Sequence, residues 1–421
     1  MRLNSVYFLV LTFLFSCAVY GQQTLTPEPL KQTDLITQMN IKPLDLEEFA
    51  RKRGLSAGNP ARNIVIVFAS GLVDETAALF RATNPRRIQL EEMESFELVM
   101  PRFKEASSSR HLDLIDFLTG DGRAVGIVSD SDFCCSAACD FISIGSQQLF
   151  ERARMALTLS KAMLENDRNE LVKKFSGKNI EFAQNRKGLD RLFSAKAEKI
   201  VGVFFDNMPF EPKDMSQPFF DELVAACLSR LSVEENGFVL LVGSKAAEKA
   251  AAEGRFADLI QYLRIQEKVL HQINYFVSGR KDTLVLLVQD TGKTRLKFSE
   301  SFRLYEFLDL VGRIKEISHE IILGKTAIDS LPAKYSFIAE QDLEKIKAFV
   351  ADNNLYELHN LLQSSLAKRF QVETSIEDSA VTNPGFAVFA RGHGAELFAG
   401  MVSFEEFIDR LALISGLKTK R

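Results

Sequence analysis

Six short apolar runs punctuate the chain: NIVIVFA (63–69), RAVGIVS (123–129), KIVGVFF (199–205), GFVLLV (237–242), TLVLLVQ (283–289) and GFAVFA (385–390). Each is bounded by turn residues. Their hydrophobicity is near-continuous rather than alternating, which suits strands buried on both faces of a parallel sheet. Between them the apolar positions take helical spacing, in QQLFERARMALTLSKAML (147–164), PFFDELVAACLSRL (218–231) and FADLIQYLRIQEKVLHQI (256–273). Strand alternating with helix predicts an α/β fold, a three-layer sandwich in which helices cover both faces of a mostly parallel central sheet.

Residues 303–370 have a different pattern. RLYEFLDLVGRIKEISHEIIL and EQDLEKIKAFVADNNLYELHNLLQSSLAKRF are helical by period, with no strand between them, and predict a helical insert before the last strand returns at 385. The chain closes on SFEEFIDRLALISGL, where Ser403 and Glu406 stand at capping-box spacing. Residues 22–60 are polar, with Pro27, Pro29, Pro43 and Pro60, and read as a leader. The expected organisation is a signal peptide at 1–21, the leader at 22–60, and one α/β domain at 61–421 carrying the insert at about 303–370.

Length and composition narrow the function. With 421 residues, 46% of them hydrophobic, the chain can bury a large core. A formal charge of −4 lacks the basic footprint of nucleic-acid binders, so no nucleic-acid partner is expected. At the N-terminus Arg2 precedes VYFLVLTFLF and then SCAVYGQQ, the order of a secretory signal peptide, with cleavage expected after Gly21. Acylation at Cys17 in LFSC is the alternative, against which Phe15 is bulky. The apolar run is short for a membrane span. The predicted location is therefore extracellular, or periplasmic in a bacterium. Loss of Cys17 leaves Cys134, Cys135, Cys139 and Cys227, read as disulfides or buried thiols in an oxidising compartment. The CCxxxC spacing lacks the fourth ligand of a metal site.

In doubly wound sheets, ligands bind beyond the carboxyl ends of the strands. The segments following the six runs read ASGLVDET, SDSDFCCSAAC, DNMPFEP, GSKAAEKAAAEG, DTGKTR and RGHGAELFAG, and all six are expected to border one site. Their order resembles the alkaline phosphatase family. NIVIVFASGLVDET is similar to that family's first strand and GDGMG turn, and GRAVGIVSDSDFCCSAAC to the segment with GVVTT before ATPAA. VGVFFDNMPFEP with QPFFDELVAACLSRL resembles LGLF, MPYE and PSLAEMTEKALEIL. GFVLLVGSKAAEKAAAEG resembles the strand and turn carrying VEGGRIDHAAH, TLVLLVQDTG resembles TLVVVTADH, and FAVFARGHGAELFAG resembles VFARGPGAHLF. The likeness covers about 60–145, 195–292 and 381–421.

This resemblance implies phosphomonoester hydrolysis by a serine nucleophile with two zinc ions and a magnesium, in a dimer. Carried over by position, the metal-bridging Asp of GDG falls on Ser70 and the magnesium-contacting Ser or Thr of ATPAA near Cys135. The Glu of VEGG falls on Gly243, and the Asp and last His of IDHAAH fall on Glu248 and Ala252. In TADH the Asp survives as Asp290 while the His becomes Thr291; the His preceding VFARG falls near Val381. The nucleophile motif DSAxTATA has no counterpart, ASSSR (106–110) being the sole serine cluster between Ser70 and Val128. None of the five histidines, His111, His271, His319, His359 and His393, stands at a matched ligand position.

Each retained residue also has an ordinary structural role available. Asp290 suits a cap, Glu248 and Lys249 a solvated face, Ser70 a glycine-flanked turn, and His393 an exposed turn. Ser107, Ser108 and Ser109 lack the partner that would activate a hydroxyl. The sequence therefore predicts a catalytically inactive alkaline phosphatase homologue with no cofactor and no membrane span. It would act in binding or scaffolding, through a protein partner or as a homodimer. Two alternatives remain open: a hydrolase with a remodelled site using Asp290, Glu248, Asp130 or Asp132 with another divalent ion, and a small-molecule binder using the vacated pocket.

Overall fold

An apolar run becomes a strand buried on both faces only if layers cover it above and below. Strand β1 (Asn63–Ser70) meets that condition: Ile64, Val65, Ile66, Val67 and Phe68 are all buried. The computed structural model describes residues 60–70, 93–100, 122–130, 153–159, 180–192, 197–204, 217–290, 294–376 and 386–416, within one compact unit that spans Gly54–Arg421. The other strands are β2 (Ser95–Met100), β3 (Ala124–Ser129), β4 (Met155–Thr158), β5 (Ile180–Ala183), β6 (Lys199–Val203), β7 (Phe238–Ser244), β8 (Thr283–Asp290), β9 (Thr294–Lys297), β10 (Glu373–Ile376), β11 (Phe386–Gly392) and β12 (Gly400–Ser403).

Ten of these form one sheet in the order β12-β2-β11-β8-β1-β7-β3-β4-β6-β5. Every neighbouring pair is parallel except those of β11, which runs antiparallel to both β2 and β8. In the middle of the sheet, alternate side chains serve opposite layers. Val65, Leu240 and Leu287 join the core cluster that includes the helical residues Leu223 and Leu259, while Ile66, Leu241 and Leu286 are equally buried outside it. This is the mostly parallel layered α/β sheet that the sequence predicts.

The helices follow their stripes. Helix α1 (Arg186–Leu192) is short; α2 (Phe220–Leu231) and α4 (Phe256–Ser278) are amphipathic and bury Leu223, Val224, Leu228, Leu259, Leu263, Val269 and Ile273. Gly126 of β3 lets α2 approach closely, since a Cβ there would lie 2.3 Å from Leu231 Cδ1. Between β7 and α4 lies α3 (Ala246–Ala252), whose Ala247, Ala250 and Ala251 are buried. Gly237, at φ 78°, makes the turn into β7; a Cβ would sit 2.2 Å from the Arg62 carbonyl oxygen, so only glycine fits there.

Residues 304–369 contain α5 (Leu304–Ile322), α6 (Leu343–Ala351) and α7 (Leu355–Arg369). The small antiparallel sheet β9–β10 flanks them where the chain enters and leaves. Asn354 caps α7 by accepting from the Glu357 N–H at 3.2 Å, and the preceding Asn353 takes the left-handed conformation, φ 49°. The last helix, α8 (Phe404–Ser415), starts at Ser403, whose hydroxyl accepts from the Glu406 N–H at 3.2 Å. Only that half of the expected capping box forms, because the Glu406 carboxylate accepts from Arg410 instead.

One expected helix is absent among the described residues. The stretch 147–164 was predicted as a helix, yet Met155–Thr158 is strand β4, inserted between β3 and β6. Met155, Ala156 and Leu157 are buried at 1% exposure or less. Three consecutive buried residues carry no alternation, so the helical spacing of the flanking LFERAR and LSKAML dominates the local pattern.

Candidate functional site

Parallel register brings the tips of β1, β7, β8 and β3 to one edge. Ser70 stands opposite Asp290, Ala69 opposite Ser244, and Gly243 lies between Phe68 of β1 and Ser129 of β3. Glu248 and Ala252 follow, one helical turn apart, on α3, where both are partly exposed. The Ala252 carbonyl accepts from Thr374 Oγ1 of β10 at 3.4 Å, which ties α3 to the β9–β10 sheet.

The polar chemistry of this edge lies among residues the family comparison did not single out. Asp130, directly after β3, is buried at 7% exposure, and its Oδ2 accepts from Ser244 Oγ at 2.5 Å. Its Oδ1 accepts from the Lys245 backbone N–H at 2.9 Å, at the start of α3. The Asp130 N–H itself donates to the Gly243 carbonyl at 3.1 Å. Ser244 Oγ in turn accepts from Gln266 Nε2 of α4 at 2.8 Å. The chain Gln266–Ser244–Asp130–Lys245 thus knits α4, β7, β3 and α3 together. Ser244 and Gln266 escaped the sequence reading. The available signal was Gln266 itself, a polar residue in register with Leu259, Leu263, Leu270 and Ile273 on the buried stripe of α4.

RGHGAELFAG does not belong to this edge, contrary to expectation. Because β11 is antiparallel, its carboxyl end meets the beginning of β8, with Gly392 opposite Leu284. The His393 N–H donates to the Thr283 carbonyl at 2.9 Å, and His393 is partly buried rather than exposed. It is the amino end of β11 that approaches the candidate edge, where Ala387 pairs with Gln289, one residue before Asp290. Cys135, Thr291, Val381, Asp132 and Ser107–Ser109 lie outside the described residues, as do Cys134 and Cys139 and the side chains of Ser70 and Asp290. Cys227 is a buried free thiol on α2.

A second polar cluster lies where α4, α5 and α7 meet. Asp258 is wholly buried and forms an ion pair with Arg255; its Oδ1 lies 3.4 Å from His359 Nε2. His359 Nδ1 is 3.3 Å from Ser318 Oγ, and Gln363 Oε1 accepts from the Ala257 N–H at 2.9 Å. Burial alone would raise the Asp258 pKa, but the His359 hydrogen bond and the Arg255 guanidinium outweigh it and hold the carboxyl below its usual range. Serine, histidine and aspartate in line are the residue types of a nucleophilic relay. All three are buried at 1% exposure or less, however, and the Ser318 hydroxyl donates to the Ile314 carbonyl at 2.8 Å. No reactant reaches that hydroxyl, and the cluster is a seam between helices.

A mostly parallel sheet with chemistry-bearing positions at the carboxyl tips of its central strands defines a layered α/β protein of the kind that binds ligands at that edge. The family model for alkaline phosphatase matches residues 139–417, and the chain belongs to the alkaline phosphatase family. Among solved structures, the alkaline phosphatase of Thermus thermophilus is similar at 15% identity and a TM-score of 0.63, over 90% of this chain and 96% of that one. The cold-active enzyme of Shewanella sp. follows at 14% and 0.61, over 84% and 99%. The alkaline phosphatase of the Antarctic bacterium TAB5 matches at 10% and 0.52, over 86% and 99%, and a variant of it is described with magnesium in its M3 site. At these identities the likeness establishes the fold. No curated protein matches the chain in sequence.

The described donor set does not fit the family's metals. Zinc and magnesium clusters need about three His or carboxylate ligands per ion. Among the described residues no three His, Cys, Asp or Glu side chains converge to hold one. Gly243 and Ala252 have no donor atoms in their side chains, and both oxygens of Asp130 are engaged at the β7–α3 turn.

Proposed function

We propose that this chain is a secreted, catalytically inactive member of the alkaline phosphatase family that acts by binding or scaffolding a protein partner. The observation that carries the reading is the state of Asp130. A carboxylate at the ligand edge of a bimetallic phosphatase is useful only if its oxygens are free for metal. Here one oxygen takes the Ser244 hydroxyl and the other caps α3 through the Lys245 N–H. The matched positions Gly243 and Ala252 add no ligand. Losing a single transition-state contact costs a phosphatase site orders of magnitude in rate, and several are replaced together. The n-region, apolar core and small-residue end of the first 21 residues support secretion.

One observation favours a second reading, a hydrolase with a remodelled site. The register sets Ser70 opposite Asp290, a hydroxyl and a carboxylate on adjacent strand tips. The two readings separate on one preparation. The purified protein is dialysed against zinc and magnesium, its metal content measured by plasma mass spectrometry, and its turnover of an aryl phosphate followed. The inactive reading expects substoichiometric metal and no turnover above the blank. Stoichiometric metal with turnover that EDTA removes, and that Ser70→Ala or Asp290→Asn abolishes, overturns it in favour of the hydrolase.

A further inference from the structure

On the β12–β2 side of the sheet, one buried arginine is shared between a buried and a partly exposed carboxylate. Glu97 projects from β2 and is wholly buried. Its Oε1 accepts from Arg410 Nη1 of α8 at 2.7 Å, while its Oε2 has no hydrogen-bonding partner among the described residues. Arg410 is shared. Its Nη2 donates to Glu406 Oε1 at 2.7 Å, and its Nη1 also donates to the carbonyls of Leu397 at 2.5 Å and Ala399 at 3.1 Å. One guanidinium therefore serves two carboxylates and the turn between β11 and β12.

Among the described residues, the other neighbours across the sheet and about α8 are apolar or uncharged. Across the sheet Glu97 stands opposite Val388 of β11 and Gly400 of β12. Phe398, Phe407, Leu411 and Val402 are buried about α8 and the turn, and Arg410 and Glu406 are the charged groups that act on Glu97. With both carboxylates ionised, the cluster carries a net charge of −1, with Glu97 and Arg410 buried and Glu406 partly exposed. With a proton on the idle Oε2 it is neutral, and Glu97 still accepts from Arg410 through Oε1.

We propose that Glu97, Arg410 and Glu406 form a proton-operated clasp, which fastens the β11–β12 turn, β12 and the first half of α8 to the sheet when Glu97 is protonated and loosens them when it ionises. Burial, the largest influence, raises the Glu97 pKa from 4.5 to about 7, against the attraction of Arg410 and with a small further push from Glu406. The sign follows. A carboxyl whose pKa is higher in the folded state gives stability that is full below 4.5 and is lost as pH rises through 7. Loosening stays local because the far end of α8 is held separately. The Ala61 N–H donates to the Ile414 carbonyl at 2.7 Å, and Arg123 Nη2 donates to the Ser415 carbonyl at 2.9 Å. The edge strand β12, with Met401 already exposed, is what the open clasp frees.

Hydrogen–deuterium exchange at pH 5.5 and 8.5, corrected for intrinsic rates, tests the clasp. In the wild-type protein, amides of residues 397–410 are expected to lose protection on going from pH 5.5 to 8.5, by up to about thirtyfold for a pKa displaced this far. Amides of β7 should be unchanged. Glu97→Gln keeps an acceptor for Arg410 without the charge, and its protection at 397–410 should be independent of pH. Glu406→Gln, at a partly exposed position, removes only the small push of that carboxylate and should lessen the loss without abolishing it, while the wild-type profile alone keeps the test open should the buried variant fail to fold. A wild-type profile that is flat with pH, or a pH-dependent loss at 397–410 that Glu97→Gln retains, overturns the clasp.

Discussion

Replacing Asp130 separates a structural carboxylate from a metal ligand, because the two roles respond to different additions. The Asp130 carboxylate accepts two hydrogen bonds, from Ser244 Oγ and the Lys245 N–H. Hydrogen bonds to an ionised group contribute about 1.5–3 kcal/mol each. Asp130→Ala breaks both and leaves the start of α3 uncapped, so a loss of about 3–5 kcal/mol in unfolding free energy is expected, allowing for non-additivity within one network. Asp130→Asn keeps Oδ1 for Lys245 but turns a donor toward Ser244 Oγ, which already accepts from Gln266. The expected loss is smaller, about 1–3 kcal/mol for one mismatched buried group. Urea denaturation followed by far-ultraviolet circular dichroism measures both, in EDTA and in excess magnesium. A capping role predicts the same values in either buffer. Were Asp130 a ligand, magnesium at a hundredfold over its Kd would stabilise the wild-type protein by about 2.7 kcal/mol and Asp130→Asn would lose that gain. A magnesium-dependent midpoint that disappears in Asp130→Asn, or a loss below about 1 kcal/mol in Asp130→Ala, refutes the reasoning.

Asp258→Ala leaves Arg255 with Glu253 as its remaining counter-charge and His359 without its buried carboxylate, and a loss of about 3 kcal/mol, the low end for a broken buried pair, is expected from denaturant midpoints at pH 7. Because the folded carboxyl titrates below its usual value, its contribution is present above the unfolded pKa of 3.8 and fades as pH falls through the folded one. The gap between wild type and Asp258→Asn should therefore narrow in acid, and a gap that widens there contradicts the assignment. Burial pushes the Cys227 thiol far above its ordinary pKa. Peptide mapping after iodoacetamide treatment should find Cys227 unmodified in the native protein and modified in urea; labelling in the native state would mean that α2 opens readily.

How much of this was legible in the sequence depended on whether a property is local. Val65, Leu240 and Val285 lie in runs long enough to mark buried strands without any partner being known, and the six runs are β1, β3, β6, β7, β8 and β11. Met155–Thr158 is too short to outweigh the helical spacing around it, so β4 was lost to its flanks. Strand direction is less local still. GFAVFA reads the same whether it runs with the sheet or against it, and only pairing decides. That single unknown moved RGHGAELFAG from the ligand edge to the opposite one, and it exchanged His393 for the amino end of β11 as the part of that strand near Asp290. Site polarity is non-local in the same sense. Asp130 was visible as a carboxylate at a strand end, but its partners come from β7 and the start of α3, with Gln266 of α4 behind Ser244, over a hundred positions away. Whether such a carboxylate can grip a cation is decided by what already holds its oxygens. A sequence motif lists the acid but not its commitments, so the matched positions Gly243 and Ala252 bear on function only together with the hydrogen bonds that hold Asp130 to Ser244 and Lys245.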